Sequence, residues 1–110
     1  MKRLLFSIIF LLFLGCEEKE VPLAAHPGAQ IYHGKARVDV RCYRCHGHLG
    51  EGSSRAPSLV KAGKTIPSTL FIETVMNGRD RMPGFASVLS EKEIESIIDW
   101  LQKIHANGNH

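Results

Sequence analysis

The feature that most constrains this chain is a five-residue motif, Cys42-Tyr43-Arg44-Cys45-His46. On a helical turn, two thiols three residues apart can each add to one vinyl group of the same porphyrin. The next residue, His46, is then placed beneath the metal, where its imidazole can bind iron. Because C-x-x-C-H is the attachment pattern of covalent haem, the motif predicts one haem held through Cys42 and Cys45, with His46 as an iron ligand.

Three other uses of the cysteine pair remain open at this point. A structural zinc site needs four ligands, usually in two separated pairs, and only His33 and His48, at unsuitable spacing, could complete the set. A thioredoxin-like redox motif needs a βαβ context, which the sequence does not suggest. A disulfide between Cys42 and Cys45 is the third alternative in an exported chain.

A haem iron bound by His46 has a sixth position, for which Met76, Met82 and the remaining histidines are candidates. Met76 falls on the apolar stripe of a predicted helix, where methionine usually fills a core. Met82 falls in a loop in which Pro83 restricts the backbone and Gly84 permits close approach. We therefore predict Met82 as the second iron ligand; the alternative is that its side chain is exposed or fills a gap.

The N-terminal residues 1–15 have the layout of a secretory signal peptide, with a basic start and a short apolar run. The run is too short to cross a bilayer, which needs about 20 residues. Its end, LFLGC at residues 12–16, resembles the Leu-x-Gly-Cys signal of bacterial lipoproteins, with Phe13 and Leu14 as departures. The resemblance implies cleavage before Cys16 and its acylation, which explains the odd cysteine. The alternative is an ordinary signal peptide and an incidental thiol.

The rest of the chain divides into a tether and one domain. Residues 16–27 contain two prolines and no sustained periodicity, so they predict a lipidated, flexible tether. Residues 28–110 form the predicted monohaem domain. Residues 47–64 and 78–89 are rich in loop-forming residues.

Helical periodicity appears in three places. It predicts a helix over residues 28–40, a second over about 68–77, and a third that starts at a Ser90/Glu93 capping box and ends at Gly108 and Asn109. No segment reads convincingly as a strand. We therefore predict an all-α fold in which three to four helices and long loops wrap round one haem, since such long loops need something to enclose.

Charge is unevenly distributed along a chain whose formal net charge is +3. Between residues 35 and 81 there are nine Lys or Arg and four Asp or Glu. A basic face would steer a redox partner that carries an acidic docking face, although scattered solvated charge is an equal alternative. The sequence has no Lys/Arg-rich run with interleaved aromatic residues, so it does not suggest nucleic acid as a partner.

The motif and its surroundings resemble class I c-type cytochromes, over nearly the whole predicted domain. Gly34 lies eight residues before Cys42, where that family has a packing glycine, and Ile97 and Trp100 fall where its last helix packs on the glycine. Val38 is a departure, since the family usually has Phe or Tyr there.

Two further segments carry the resemblance. Residues 56–59 match the loop whose proline carbonyl accepts a hydrogen bond from the ligating histidine, which implies that Pro57 orients His46. Residues 77–83 match the segment that supplies the distal ligand, which implies iron binding by Met82.

The resemblance implies an electron carrier rather than an enzyme, with one covalently attached haem c and its iron per chain. The leader and its lipoprotein-like end imply export and a lipid anchor, in the periplasm or on the outer face of a bacterial membrane, and we expect a monomer. Two alternatives are kept: a haem enzyme or a gas- or peroxide-reactive sensor with an open sixth position, and a haem subunit of a larger oxidoreductase.

Overall fold

The structure is a computed structural model that describes residues 23–106, and its regular elements are helices joined by long loops. Within that range it contains no β-strand, only two isolated bridges. The prediction of an all-α fold with three to four helices is confirmed. The elements are a 3-10 turn (Leu23–Ala25), α1 (Pro27–Tyr32), α2 (Tyr43–His46), α3 (Ser68–Asn77) and α4 (Glu91–Ile104).

Helix α4 begins with the predicted capping box. The Ser90 hydroxyl accepts a hydrogen bond from the Glu93 N–H, and the Glu93 carboxylate accepts one from the Ser90 N–H, so two backbone donors without helical partners are satisfied. The buried face of the helix consists of Ile94, Ile97, Ile98, Trp100 and Leu101. The helix ends at Ile104, earlier than predicted, and residues 107–110 lie outside the described range.

Helix α3 has the predicted bounds, beginning after Pro67 and ending before Gly78. Phe71 and Val75 are buried, and the neighbouring apolar side chains of the stripe are half-buried against the same core. Complete burial of one such side chain stabilises the folded state by roughly 1.5–3 kcal/mol. Helices α3 and α4 contact each other and together form part of the wall of the cavity described below.

Helix α1 crosses α4 at very close range. The contact is made by Gly28, where an added Cβ would lie 2.1 Å from the carbonyl oxygen of Ser96. One turn later the fully buried Tyr32 places its ring 5.0 Å from that of Trp100. Just before the helix, His26 Nε2 lies 2.8 Å from the Asp99 carboxylate. The crossing therefore depends on a glycine that lets two backbones touch.

The helix predicted over residues 28–40 is wrong beyond Tyr32. Gly34 has a φ of +74° and follows the helix instead of lying within it. Its N–H donates to the Ile31 carbonyl (3.1 Å) and the Lys35 N–H donates to the Gln30 carbonyl (2.9 Å), which is the Schellman pattern that ends helices at a left-handed glycine. Val38 lies at helical spacing from Ile31, but a helix cannot continue through the positive φ of Gly34.

Two details of the family comparison are corrected accordingly. The glycine that packs on α4 is Gly28 and not Gly34, because Gly34 instead lies against Arg41 and the Val40 carbonyl. Val38, which stands where the family usually has Phe or Tyr, is 74% exposed. The buried aromatic ring of this part of the domain is instead that of Tyr32.

The N-terminal part of the domain starts slightly before the predicted boundary. The 3-10 turn at Leu23–Ala25 contacts α1 and α4, so the end of the segment assigned to the tether, residues 16–27, is packed on the domain. Residues 1–22 lie outside the described range, and with them the predicted signal peptide, residues 1–15, and the predicted acylation site, Cys16. Among residues 23–106, no helix is long and apolar enough to cross a membrane.

Candidate functional site

The C-x-x-C-H motif forms the single turn of helix α2. Cys42 is its N-cap residue, and His46 is its last residue. The loop that follows folds back on this turn, because the Gly52 N–H donates to the His46 carbonyl at 2.6 Å and the Ser53 hydroxyl donates to the Cys45 carbonyl. Three of the four residues predicted to bind the cofactor, Cys42, Cys45 and His46, are thus held on one short turn.

The His46 ring is oriented by the carbonyl oxygen of Pro57. His46 Nδ1 lies 2.8 Å from that oxygen, so Nδ1 carries the proton and Nε2 is the nitrogen left for another partner. The Pro57 carbonyl is placed by a tight loop, in which the Leu59 N–H donates to the Gly50 carbonyl at 2.6 Å. This is the contact that the resemblance implied for Pro57.

A cavity of about 590 Å³ opens beside His46, a volume within the range of about 300–1,000 Å³ that is usual for cofactor sites. Its walls come from helices α1 to α4 and from the loops between them. Most of the lining is apolar, including Phe71, Val75, Phe85 and Ile97. The structure therefore has a largely apolar cleft next to the predicted ligand.

Met82 lines this cavity together with Cys42 and His46, although it lies 36 residues farther along the chain than His46. Its side chain is half-buried. Met76 does not line the cavity and is packed against the core instead. Among the histidines that the structure describes, only His46 lines it. The geometry thus separates the candidates for the sixth position, which the sequence could rank only by context.

The two thiols differ in environment, and neither forms a disulfide. Cys42 is half-buried and lines the cavity, and burial raises the pKa of its thiol to about 11. Cys45 is exposed. The structure describes no group of three or more His, Cys, Asp or Glu within residues 23–106 that could hold a metal ion, so the zinc interpretation has no support from this geometry.

The sequence did not reveal two other parts of the cavity. Tyr32 lines it, and its hydroxyl donates to the Gly47 carbonyl at 2.6 Å; burial raises the pKa of this phenol far above its ordinary value. The cations Arg55, Arg79 and Arg81 also line the cavity, with Asp80 between the last two. Helical spacing marked Tyr32 only as a helix residue, and no local pattern connects the arginines with the motif.

These residues fit a haem. The cleft is largely apolar, and it joins a thiol, an imidazole whose free nitrogen is Nε2, and a thioether. Cysteine thiols attach a c-type haem, and His and Met are the axial ligands of many electron-transfer cytochromes. The cations at the cavity are suited to carboxylate groups, with which arginine forms paired hydrogen bonds.

Comparison with known proteins agrees with this geometry. Residues 27–101 match a family model described as cytochrome c oxidase, cbb3-type, subunit III. Cytochrome c-555 from Methylococcus capsulatus is 37% identical over 79 residues, which is 72% of this chain and 58% of that relative. The chain thus spans little more than half the length of the relative. The matched segment contains the motif, the Pro57 loop and the Met82 loop, and the chain therefore belongs to the c-type cytochrome family that the model describes, with covalently attached haem c and its iron as the cofactor.

Proposed function

We propose that this chain is a one-electron carrier in which Cys42 and Cys45 attach one haem and His46 and Met82 bind its iron. The observation that carries the proposal is the cavity, since one cleft brings together Cys42 and His46 of the motif and a methionine from a distant loop. When bound, haem c supplies a reversible one-electron couple at its iron. Two protein ligands at the iron favour an electron carrier over an enzyme.

The thiols of Cys42 and Cys45 would form the attachment. Each thiol would form one C–S bond to a vinyl group of the haem, with its hydrogen going to the other vinyl carbon, so the addition would need no oxidant or reductant. The Cys42 thiol is half-buried and already lines the cavity in which the vinyl group would lie. Two covalent bonds would then fix the cofactor against the wall that Cys42 forms.

His46 and Met82 have different parts in the proposal. The Pro57 carbonyl holds the Nδ1 proton of His46, which fixes the tautomer and ring orientation and makes Nε2 a better donor to a metal. The Met82 thioether favours the ferrous state and so raises the reduction potential. Burial among apolar side chains excludes water and raises the potential further.

The surface supports docking of a partner with an acidic face, although not with every cation in the sequence. Five cations of the basic region are candidates for this face by their place in the sequence: Lys35, Arg37, Arg41, Arg44 and Arg79. Arg37 and Arg41 are engaged within the domain. Arg37 pairs with Glu93, and Arg41 donates to the Val38 carbonyl. Lys35, Arg44 and Arg79 are exposed, and Arg44 lies within the motif itself. We therefore propose that these three form the docking face.

A charge reversal tests this face. Arg44→Glu should slow electron exchange with an acidic partner and reduce the dependence of the rate on salt, because steering weakens as positive charge is removed. Arg37→Gln is the matched control, since its charge is already paired with Glu93. Equal rates for Arg44→Glu and the unaltered protein at low salt would remove Arg44 from the face.

We also propose that the protein is exported, as a monomer anchored by lipid on Cys16 in the periplasm or on the outer face of a bacterial membrane. The support is the leader-like sequence at residues 1–15 and the Gly15-Cys16 pair. Cys16→Ser should abolish labelling by a fatty acid and release the protein from the membrane fraction. Unchanged labelling would contradict acylation at this residue.

The matched family gives a second candidate function, that of a haem subunit in a larger oxidoreductase. The family model is described as a subunit of an oxidase. A permanent subunit should stay with its partners when the membrane is solubilised in mild detergent, whereas a carrier should run at the size of the single chain. Size-exclusion of the native protein separates the two.

The decisive test of the carrier is the absorption spectrum of the haem-loaded protein. We expect the haem to stay attached when the protein is denatured. We also expect a weak red absorption band from Fe(III)–S(Met) bonding. Met82→Ala should abolish this band, whereas the control Met76→Ala, at a residue packed against the core, should retain it. If covalent haem is present without this band, an open sixth position and the enzyme or sensor alternative follow. If the haem is lost on denaturation, the attachment proposal is wrong.

A further inference from the structure

Met82 is presented to the cavity by a tight turn of residues 79–82. Its two ends exchange both backbone hydrogen bonds: the Arg79 N–H donates to the Met82 carbonyl at 3.0 Å, and the Met82 N–H donates to the Arg79 carbonyl at 2.8 Å. Two residues between such a pair make a two-residue β-turn. The backbone of Met82 is therefore fixed relative to the end of α3.

The first central residue of this turn is in an unusual conformation. Asp80 has a φ of +53°, and it is the only non-glycine residue with a positive φ among residues 23–106. Its side chain is 89% exposed, and its nearest charged partner is Arg79 at 3.9 Å. Because Asp and Asn tolerate the left-handed region and β-branched residues do not, the residue type at this position matters through the backbone.

The chain on both sides of the turn is docked onto the end of α3. An added Cβ on Gly78 would lie 2.7 Å from the Met82 carbonyl oxygen, and one on Gly84 would lie 2.7 Å from the Met76 carbonyl oxygen. Farther along, the Phe85 N–H donates to the Val75 carbonyl at 2.8 Å. With both flanks held, the turn itself is the remaining element that decides where Met82 lies.

We propose that Asp80 is a positioning residue for the iron ligand: its left-handed backbone conformation closes the turn that holds Met82 at the cavity. The inference rests on the proposed function, in which Met82 binds the iron. Asp80 acts through the backbone of Met82 and so determines how well this thioether competes with external ligands for the sixth position. A turn that opens would let the thioether leave more readily.

Four substitutions at residue 80 of the haem-loaded ferric protein test the proposal. Asp80→Asn and Asp80→Gly keep access to positive φ, whereas Asp80→Ala and Asp80→Val progressively oppose it, and all four remove the same charge. Imidazole is titrated as the competing ligand, and the red Fe(III)–S(Met) band is followed. We expect Asn and Gly to stay within about twofold of the unaltered protein, and Val to raise the apparent affinity for imidazole roughly 5- to 30-fold and weaken the band, the range that follows from 1–2 kcal/mol of backbone strain.

The outcomes distinguish this proposal from the one on which it rests. If the band is absent and Met82→Ala leaves imidazole binding unchanged, the role of Met82 fails. If Met82→Ala abolishes the band but Asp80→Val binds imidazole like Asp80→Asn, the positioning role is overturned while the ligand stands. An equal change in all four variants assigns the effect to charge and also overturns it. If Asp80→Val does not retain haem, Asp80→Ala decides, with an expected increase of about fivefold.

Discussion

At the scale of single residues, the fold depends on its glycines as much as on the side chains that fill the core. Gly28 lets the backbones of α1 and α4 meet, since an added Cβ would lie 2.1 Å from Ser96 O and 2.9 Å from Ile97 Cα. Both of these atoms belong to a helix backbone, which cannot move aside as a flexible side chain can. The residue that resembled a packing glycine, Gly34, instead terminates α1.

We predict that Gly28→Ala destabilises the haem-loaded protein by about 3 kcal/mol, because the added methyl forces the two helices apart. Gly34→Ala is the control. There the Cβ would meet the flexible Arg41 side chain at 3.1 Å, and the change should cost about 1 kcal/mol through its positive φ. Denaturant unfolding measures both, and equal losses would contradict the assignment of Gly28 to the helix crossing.

At the scale of elements, α4 organises the domain. It contacts the 3-10 turn, α1 and α3, and it also supplies Ile97 to the cavity wall. Its N-terminus has a second function beyond capping, because Glu93 accepts from the Ser90 N–H and also pairs with Arg37. One carboxylate thereby ties the loop before the haem motif to the start of the helix.

We predict that Ser90→Ala destabilises the protein by about 1 kcal/mol, the usual effect of losing an N-cap side chain. The exposed Ser87→Ala lies in the preceding loop and should change stability little. Thermal unfolding of the two variants provides the measurement. A loss for Ser87→Ala as large as for Ser90→Ala would mean that the cap is not the cause.

At the scale of the whole molecule, the domain is arranged around a cavity that its own side chains leave unfilled. The described part has fewer than 90 residues, a size at which a hydrophobic core is marginal. Phe71 and Val75 belong both to the core and to the cavity wall. A bound cofactor therefore completes the core, and folding should be linked to its presence.

We predict that the chain without haem, obtained as the Cys42→Ser/Cys45→Ser double variant, loses most of its helical signal and its cooperative unfolding transition. The largely apolar walls of the cavity would then be exposed to water, because the haem that they pack against would be missing. Circular dichroism and thermal melting test this, with the haem-loaded protein as the reference. A haem-free chain that melts as sharply as the loaded one would contradict a structural role of the cofactor.

Three carboxylates connect stability with pH. Backbone hydrogen bonds hold the pKa of Glu51 below its ordinary value, and hydrogen bonds from the Ser90 N–H and Arg37 do so for Glu93. The side chains of Lys103 and His26 lower the pKa of Asp99 in the same way. A carboxylate with a lowered pKa in the folded state stabilises the fold above its unfolded value of about 4, and this contribution is lost as the pH falls through the lower folded value.

We therefore predict that the contribution of these three carboxylates to the free energy of unfolding is nearly constant from neutral pH to about pH 5 and decreases below about pH 4. Asp99→Asn should lower stability at neutral pH and flatten the decline below pH 4, because its charged contacts to His26 and Lys103 are removed. Urea unfolding at a series of pH values measures this. An identical acid dependence in Asp99→Asn would show that Asp99 does not contribute to it.

The sequence by itself determined the local features of this protein. The haem motif, the α3 bounds and the α4 capping box were all predictable, because each depends on residues within one or two helical turns. The loop context already favoured Met82 over Met76, and the tertiary structure placed it at the cavity with His46. The tertiary structure alone decided which glycine packs on α4 and that Asp80 takes a left-handed conformation. These outcomes depend on contacts between residues far apart in the chain, and local spacing does not encode such contacts. The close approaches and the cavity exist only once the fold has brought these distant segments together.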